Sequence, residues 1–464
     1  MITASLDYNA KCPLYEQLYR QIRQKIETGQ LASGDKLPSK RKMADHLNVS
    51  LRTIENAYAQ LSVEGYIESI EKKAYVVRKI ENPTIKNSKS STSIQSEQST
   101  SNTDSLRFDL KTNQININDF PFSIWTKLMR SSLRDRQTLL LEPVHPQGDP
   151  NLRQEIAHYL HQFRNMTVSP DQIIIGAGAE YLLGLISELL PHQTFALEDP
   201  NYPKPAKILY SKRVKCVTIP LDQEGISVDR LKDTDASVVL TTPSHHFPLG
   251  TVMSANRRRQ LLHWAAHKKE HYLIEDDYDS EYRFALKPVP PLYSLDNHGK
   301  VIYMNTFTRT LAPSLRIAYL VLPPELLHRY KQNLMFYACT VSEIEQYTLC
   351  KFIQGGFYER HLSRMRTIYR MRRDTLLKGL APLTKNFTIQ GQEAGLHLLL
   401  TSRQNIQDQI LIEQARLKGI GVYGLSDYYC TPSQKISTVI IGYAGYAIQD
   451  LEVITQLLVE AWHQ

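Results

Sequence analysis

Three residues of the segment KVIYMNTFTRTLAPSLRIAYLVLP, residues 300–323, are of types that bind a phosphate group. Two apolar runs typical of β-strands flank a polar stretch, and Thr306, Thr308 and Arg316 lie in it. Hydroxyl and guanidinium groups both donate hydrogen bonds to phosphate oxygens, and one turn can bring groups at this spacing onto a single anion. The spacing therefore predicts a phosphate cup at the end of a strand.

The same segment resembles the one that carries the cofactor lysine in fold-type-I pyridoxal phosphate (PLP) enzymes. It takes the form usual for MocR/GabR-type regulators, T-F-S-K-x-L-x-P-x-L-R followed by a small residue and Tyr, but the lysine position reads Arg309. A Schiff base needs a neutral amine with a lone pair, and a guanidinium with a pKa of about 13.8 does not supply one. The resemblance implies a PLP site without its covalent anchor, in which Arg309 contacts a phosphate or carboxylate of the ligand.

An acidic motif, EDDYDSEYRF at residues 275–284, follows another strand-like run. Such a cluster could hold a divalent cation, but it matches no calcium-loop spacing. It is similar to the E-D-D-Y-D-S-E of the same regulators, in which an aspartate pairs with the pyridine nitrogen of PLP and a tyrosine touches its 3-oxygen. The resemblance places Asp276 and Tyr278 in those roles, where a buried carboxylate and a pyridinium stabilise each other's charge.

Three further stretches follow strand-like runs. In GAGAEYLLGLISELL, Gly178 and Ala179 open a helix whose N-terminal amides can bind an anion, although small residues there also suit tight helix–sheet packing. In EDPNYPKP, Tyr202 can stack on a planar ring. The adjacent histidines of TPSHHFPLG lack metal-ligand spacing and indicate a shaped polar loop, so no metal site is predicted.

Catalytic residues are not predicted anywhere in the chain. Arg309 can neither form the Schiff base nor serve as the base of a 1,3-proton transfer. Aminotransferases of this fold commonly hold the substrate carboxylate with an arginine in an R-L-x-F strand, and the matching stretch VIIGYAGY has Ile440 there. An active PLP-dependent enzyme with an accessory DNA-binding domain is the alternative interpretation, and a regulator that senses a different ligand in the old pocket is a third. The retained ring and phosphate residues favour a PLP-like ligand, held non-covalently.

Strands and helices alternate beyond Arg107, which predicts an α/β domain with a mostly parallel central sheet. Candidate strands are residues 172–175, 194–197, 237–241, 272–275 and 301–304. Ligands of such sheets bind beyond the carboxyl ends of the strands, where the motifs above lie. The resemblance implies a fold-type-I aminotransferase-like domain with a smaller C-terminal α+β part.

The first 79 residues predict a winged helix-turn-helix. Apolar residues four apart from Leu14 to Ile26 indicate an amphipathic helix. Ser39 then caps a second helix, KRKMADHL, and Ser50 caps a third, LRTIENAYAQLSVEG. Two β-rich runs, 66–70 and 74–77, follow as a hairpin.

This unit is similar to the GntR family, whose pattern P-L-Y-x-Q-L, L-P-S-x-R, V-S-x-x-T and A-Y-x-x-L-x-x-E-G-Y-I is readable from Pro13 to Ile67. The chain departs from that family at Leu51, where an arginine is common, and at the wing tip, where glycines are usual. The resemblance implies contacts with double-stranded DNA from Arg41, Ser50, Arg52 and Thr53, and from Lys72 and Lys73 on the wing tip.

The charge distribution agrees with a nucleic-acid partner. Residues 1–79 contain 13 lysines and arginines against 9 aspartates and glutamates, a net +4 of the chain's +8. Residues 80–106 are dominated by Ser, Thr, Asn and Gln without aromatic residues, which is typical of a flexible linker. We therefore predict a DNA-binding domain at 1–79, a linker at 80–106 and an effector-binding and dimerisation domain at 107–464.

Compartment and assembly follow from simpler features. The five cysteines are scattered without a C-x-x-C pair, and no apolar run reaches the length of a bilayer span, so we expect a cytoplasmic protein with no disulfide framework and no membrane partner. The family resemblance implies a homodimer, head to tail, that binds a small-molecule effector and repeats on DNA.

Overall fold

The computed structural model describes residues 6–8, 10, 12–70, 74–79, 106–284, 289–430 and 436–463. The chain divides into two compact units, Met1–Ser101 and Asn102–Gln464. Of the predicted linker only Leu106 is among the described residues, so the boundaries at 79 and 106 stay predictions. Lys72 and Lys73 of the predicted wing tip also lie outside the described residues.

The N-terminal unit is a winged helix-turn-helix, as predicted. Its elements are α1 (Leu14–Glu27), β1 (Lys36–Leu37), α2 (Lys40–Leu47), α3 (Leu51–Val63), β2 (Ile67–Ile70) and β3 (Ala74–Val77). The strands form an antiparallel sheet in the order β1-β3-β2. Asn48 ends α2 in the left-handed conformation (φ 51°), which an asparagine tolerates better than most residues. The chain therefore turns sharply from α2 into α3.

Two hydroxyl caps and one apolar core hold these helices. The Ser39 hydroxyl accepts a hydrogen bond from the Lys42 amide at 3.3 Å, and the Ser50 hydroxyl accepts one from the Thr53 amide at 3.2 Å. Each such cap stabilises a helix by about 1 kcal/mol. The buried apolar face predicted for α1 packs against α3 and the sheet; its core comprises Leu18, Ile22, Ile26, Leu37, Met43, Ala44, Ile54, Ala57, Tyr58, Leu61, Ile67 and Val77.

The large unit alternates strands and helices. Its strands are β4 (Phe108–Asp109), β5 (Ile173–Gly176), β6 (Phe195–Asp199), β7 (Cys216–Asp222), β8 (Gly225–Ile226), β9 (Val238–Thr241), β10 (Tyr272–Asp276), β11 (Val301–Thr306), β12 (Ala318–Val321), β13 (Phe387–Gln390), β14 (His397–Ser402), β15 (Ile420–Gly421), β16 (Tyr423–Gly424) and β17 (Thr438–Gly442). Its helices are α4 (Phe122–Asp135), α5 (Pro150–Arg164), α6 (Ala179–Leu189), α7 (Pro203–Ser211), α8 (Val228–Lys232), α9 (Ala255–His267), α10 (Leu292–Leu295), α11 (Pro324–Asn333), α12 (Glu343–Gln354), α13 (Phe357–Gly379), α14 (Asp408–Leu417) and α15 (Ile448–Trp462). Short 3-10 helices lie at Leu139–Leu141, Pro170–Gln172, Pro313–Leu315, Ala381–Lys385 and Leu425–Tyr428. Among the described residues, no helix is both long and apolar enough to cross a membrane.

An eight-stranded sheet in the order β5-β12-β11-β10-β9-β6-β7-β8 forms the centre of the large unit. The five strands from β11 to β7 are parallel to their neighbours, while β12 pairs antiparallel with both β11 and β5, and β8 pairs antiparallel with β7. The mostly parallel sheet is therefore confirmed. All five strands that the sequence predicted are present, because strands covered on both faces are continuous apolar runs.

A smaller C-terminal part has its own antiparallel sheet in the order β13-β14-β17-β16, accompanied by α14 and α15, and it confirms the predicted α+β part. Strand β4 pairs with β15, and the segment that follows runs along the end of β17. There the Gly442 amide donates to the Leu110 carbonyl at 2.9 Å. A Cβ at position 442 would lie 2.4 Å from the Lys111 carbonyl oxygen, so only glycine allows this close approach.

Candidate functional site

A cavity of about 250 Å³ lies at the carboxyl ends of β6, β9, β10 and β11. This is the edge at which open α/β sheets bind their ligands. Eight of the nine residues predicted to contact the ligand line it: Ala179, Tyr202, Asp276, Tyr278, Thr306, Thr308, Arg309 and Arg316. The ninth, Gly178, lies next to them, since a Cβ there would meet the Arg316 guanidinium nitrogen at 2.7 Å.

Two residues of the predicted phosphate cup, Thr306 and Thr308, are hydrogen-bonded to each other. The Thr306 hydroxyl donates to the Thr308 hydroxyl at 2.8 Å and accepts a hydrogen bond from the Thr308 amide at 3.1 Å. Arg316 follows in the left-handed conformation (φ 52°), and Gly178, with φ 90°, precedes the first residue of α6. No side chain caps α6, so its first amides have no side-chain partner at that end of the helix, and Ala179 at its start lines the same cavity as the two threonines.

A carboxylate already occupies the cationic side of this cup. Glu180 lies in the first turn of α6, where one of its oxygens is 2.7 Å from the Arg316 guanidinium and the other is 2.8 Å from the Lys204 ammonium. The hydrogen bond from Lys204, with the charge of Arg316, lowers the pKa of Glu180 although partial burial opposes this. Sequence reasoning missed both Glu180 and Lys204; the available signals were an acid in the first turn of that helix and a lysine two residues after Tyr202.

The lining also contains an unsatisfied acceptor, Asp276. Burial, together with the neighbouring Asp277 and Asp279, raises the pKa of Asp276 to about 7. Among the described residues, its buried Oδ1 has no hydrogen-bond partner. A buried polar atom without a partner is rare in folded proteins, and a cationic N–H group of a ligand would satisfy this one. The threonine hydroxyls and Arg316 suit an anion, so the lining offers a partner for a cationic N–H group and donors for an anionic group.

Arg309 contacts both a residue near the start of the large unit, Thr112, and a residue of the cavity lining, Tyr278. Its guanidinium donates to the Thr112 carbonyl at 2.6 Å and lies 5.7 Å from the centre of the Tyr278 ring. The next three residues, 113–115, line the cavity as well. Arg309 therefore holds a wall of the cavity while its charge lowers the pKa of Asp276 against the effect of burial.

Tyr202 stands at the mouth of the cavity, 42% exposed, directly before α7. Its ring meets that of Phe247 edge to face at 6.0 Å, and the Lys204 ammonium lies 5.9 Å from its ring centre. The tyrosine ring is thus partly exposed where it lines the cavity. Phe247, which sequence reasoning also missed, follows the two histidines of the predicted polar loop.

Those histidines are buried beside two carboxylates. His245 Nδ1 is 2.8 Å from Asp279, and His246 Nε2 is 3.5 Å from Glu198, which lines the cavity. Burial lowers the pKa of His246 to about 3 and raises that of Glu198 to about 7, so both are mainly neutral near pH 6. Within the described ranges, no group of three or more His, Cys, Asp or Glu side chains is placed to hold a metal ion.

Ile440, which the sequence placed where aminotransferases commonly have an arginine, is fully buried in β17. It packs in an apolar cluster with Leu399 and Leu425. The side chain at this point of the strand therefore cannot donate a hydrogen bond to a carboxylate.

In the N-terminal unit, three of the predicted DNA-contacting residues lie together. Ser50, Arg52 and Thr53 form the start of α3, where the Ser50 and Thr53 hydroxyls are 2.8 Å apart. Arg41 lies in the first turn of α2. Arg41 and Arg52 are exposed, and the described part of the unit records no ion pair for either. The first turn of the third helix thus presents a cation and two hydroxyls to solvent.

Two family profiles match the chain. The family described as "Bacterial regulatory proteins, gntR family" matches residues 14–77. The family described as "Aminotransferase class I and II" matches residues 112–438, which is more than half of the chain. The first match falls on the winged helix-turn-helix, and the second contains the whole cavity.

Similar proteins cover the chain from end to end. YdeL of Bacillus subtilis, named an uncharacterized HTH-type transcriptional regulator, is 38% identical over 99% of this chain and 99% of its own length. MocR of Rhizobium meliloti, named a probable rhizopine catabolism regulatory protein, is 32% identical over 95% of this chain and 92% of its own. PdxR of Corynebacterium glutamicum, named an HTH-type pyridoxine biosynthesis transcriptional regulator, is 30% identical over 89% of this chain and 88% of its own.

The large unit has the fold of solved aminotransferases. The crystal structure of kynurenine aminotransferase from Pyrococcus horikoshii gives a TM-score of 0.67 at 24% sequence identity, over 76% of this chain and 90% of that one. At this identity the likeness concerns the fold, and it confirms the predicted fold-type-I architecture.

Proposed function

The chain belongs to the family of HTH-type transcriptional regulators that join a gntR-family domain to an aminotransferase class I and II domain, and from this we propose a mode of effector binding. The protein is a DNA-binding transcriptional regulator. We propose that its aminotransferase-like domain binds a PLP-like effector without a covalent bond and does not catalyse transamination.

The observation that carries the proposal is the side chain at position 309. By its resemblance to the cofactor-lysine motif, Arg309 stands where a PLP enzyme has the lysine that bonds to the cofactor. A guanidinium is a poor nucleophile and stays protonated, so it can neither bond to an aldehyde nor move a proton between carbon atoms. Its hydrogen bond to the Thr112 carbonyl supports a structural role.

The remaining lining supports a PLP-like molecule. PLP supplies a pyridine nitrogen at one end of a flat ring and a phosphate at the other. We assign the nitrogen to Asp276, whose buried Oδ1 lacks a partner among the described residues, the 3-oxygen to Tyr278 and the ring face to Tyr202. We assign the phosphate to Thr306, Thr308, Arg316 and the N-terminal amides of α6. The name of PdxR connects that relative with pyridoxine biosynthesis, which favours a related effector here.

For the whole protein we propose a cytoplasmic homodimer that pairs head to tail through residues 107–464. Each DNA-binding domain, residues 1–79, is joined to it by the linker at 80–106. A coil of about 27 residues has an end-to-end distance of roughly 29 Å and can extend to about 90 Å. Two heads on such linkers can bind repeats whose spacing varies.

Borohydride reduction followed by mass spectrometry tests the absence of a covalent bond. Borohydride fixes an imine between PLP and an amine. The wild-type protein should therefore carry no PLP adduct in the cavity after reduction, whereas native mass spectrometry of the unreduced protein should show PLP bound. The variant Arg309→Lys supplies an amine among positive neighbours, which favours its neutral form, and should give an adduct at residue 309. A wild-type adduct on a cavity residue, or turnover of amino acids by the wild type, would refute the proposal.

A further inference from the structure

The phosphate cup contains one group of the wrong charge for a phosphate. Three cations line the cavity. Arg316 and Lys204 are both paired with the Glu180 carboxylate, at 2.7 Å and 2.8 Å, whereas Arg309 donates to the Thr112 carbonyl. A carboxylate has only acceptor atoms, as a phosphate has, so the two compete for the same donors.

The Glu180 carboxylate and the phosphate of a ligand are both negatively charged and repel each other. A phosphate monoester carries a charge of about −1.5 to −2 at pH 7. Hydrogen bonds from Lys204 keep the pKa of Glu180 lowered, so the carboxylate is ionised at neutral pH. With Glu180 in place the three side chains sum to a single positive charge, and a bound phosphate must either displace the carboxylate or lie beside it.

From this geometry we infer that Glu180 is a specificity-determining residue of the cavity. It competes with the ligand's phosphate for Arg316 and Lys204, and so reduces the advantage of a phosphorylated ligand over its unphosphorylated analogue. The inference rests on the proposed function, because it assumes that a pyridine-type effector binds here.

A purely structural role for Glu180 predicts the opposite result. If the carboxylate served only to hold Arg316 and Lys204 in position for the phosphate, its removal would loosen both cations and weaken binding of a phosphorylated ligand. The substitution Glu180→Gln keeps the length of the side chain and removes the charge. The two roles are therefore distinguished by the direction of the change.

Titration calorimetry of the full-length protein with pyridoxine 5′-phosphate and with pyridoxine provides the test. The two compounds differ only in the phosphate, and neither has an aldehyde that could react with surface lysines. In Glu180→Gln, affinity for the phosphorylated compound should rise about fivefold, the factor expected when two exposed ion pairs of about 0.5 kcal/mol each no longer compete with the phosphate. Affinity for pyridoxine should stay within about twofold.

Glu188→Gln is the matched control. Glu188 lies on the same helix and is paired with Lys212 at 2.7 Å, but it does not line the cavity. It should leave both affinities unchanged. Glu180→Ala serves as a second variant if the glutamine variant folds poorly, with the same expected direction.

The outcomes separate the inference from the function on which it rests. Binding of both compounds, with no gain or a loss for the phosphorylated one in the Glu180 variants, overturns the inference and leaves the proposed function standing. Absence of binding of either compound to the wild type and to every variant at millimolar concentration overturns both.

Discussion

Asp276 shows, at the level of one side chain, a conflict between ligand binding and stability. In the folded protein its pKa is raised to about 7, with burial as the largest cause. In the unfolded chain it returns to about 3.9. Between about pH 3.9 and about pH 7, the carboxyl group is therefore protonated in the folded state and ionised in the unfolded state. The free energy of unfolding decreases as the pH rises through this range, because the unfolded state has then lost a proton that the folded state still binds.

We accordingly predict opposite effects of Asp276→Asn on stability and on binding. The free energy of unfolding of the variant, measured relative to that of the wild type, should increase by about 1 kcal/mol from pH 6 to pH 8. The reason is that only the wild type must bury a charged side chain at pH 8. Affinity for pyridoxine 5′-phosphate should fall at least about tenfold, since a charge-assisted hydrogen bond is lost. Urea unfolding and calorimetry measure the two quantities.

Tryptophan fluorescence makes the unfolding measurement specific, because all three tryptophans, Trp125, Trp264 and Trp462, belong to the large unit. Asp135→Asn is the control: that carboxylate is exposed, and hydrogen bonds from Lys351 and Ser131 lower its pKa to about 2, so it does not titrate in this range. If Asp276→Asn weakens folding and binding alike at pH 8, the oxygen has a partner other than the ligand.

Sequence motifs located single residues better than they located pairs. Thr306, Thr308 and Asp276 were identified because each lies in a short motif with recognisable neighbours. The ion pair of Glu180 with Arg316 joins residues 136 positions apart, and no local pattern encodes such a contact. The competing anion in the cup is therefore a property of the fold that the motif alone does not contain.

At the level of elements, the apolar strands were predictable and the wall of the cavity was not. Strands β5, β6, β9, β10 and β11 each begin within one residue of the predicted start, because burial on both faces demands continuous apolar runs. The segment at 112–115 has no such pattern. Its place is set by Arg309, which donates to the Thr112 carbonyl across 197 positions of sequence, and by the glycine at 442.

Arg52, in the first turn of α3, is the residue of the DNA-binding domain best placed to read a base. Arg52→Ala should weaken binding to the DNA upstream of the protein's own gene by about 1 to 3 kcal/mol if the arginine reads a base edge, and the loss should be smaller on unrelated DNA. The control is Arg20→Ala, since Arg20 is 67% exposed on α1 and paired with Glu16. Fluorescence anisotropy across salt concentrations measures both; equal losses on specific and unrelated DNA would reduce Arg52 to a phosphate contact.

For the whole molecule, the proposed roles of Arg309 and Glu180 both lower the affinity for a PLP-like ligand. The first removes the covalent anchor and the second opposes the phosphate, so both weaken the hold on a PLP-like ligand. An enzyme benefits from a cofactor that never leaves. A sensor needs the reverse, because occupancy follows the ligand's concentration only when the dissociation constant lies near that concentration. The proposed roles of Arg309 and Glu180 are therefore consistent with one another in a regulator.

The proposed dimer predicts that the two parts of the chain differ in oligomeric state. Residues 107–464 should be dimeric by light scattering at micromolar concentration, whereas residues 1–79, which have their own apolar core, should be monomeric. When the first head of a dimer binds, the linker fixes the effective concentration of the second, so the full-length protein should bind a two-repeat DNA tighter than residues 1–79 by a factor on the order of 10² or more. DNA with one repeat is the control, and there the difference should largely vanish. A monomeric large unit would contradict the proposed dimer. Equal affinities of the full-length protein and of residues 1–79 for the two-repeat DNA would mean that each DNA-binding domain binds alone.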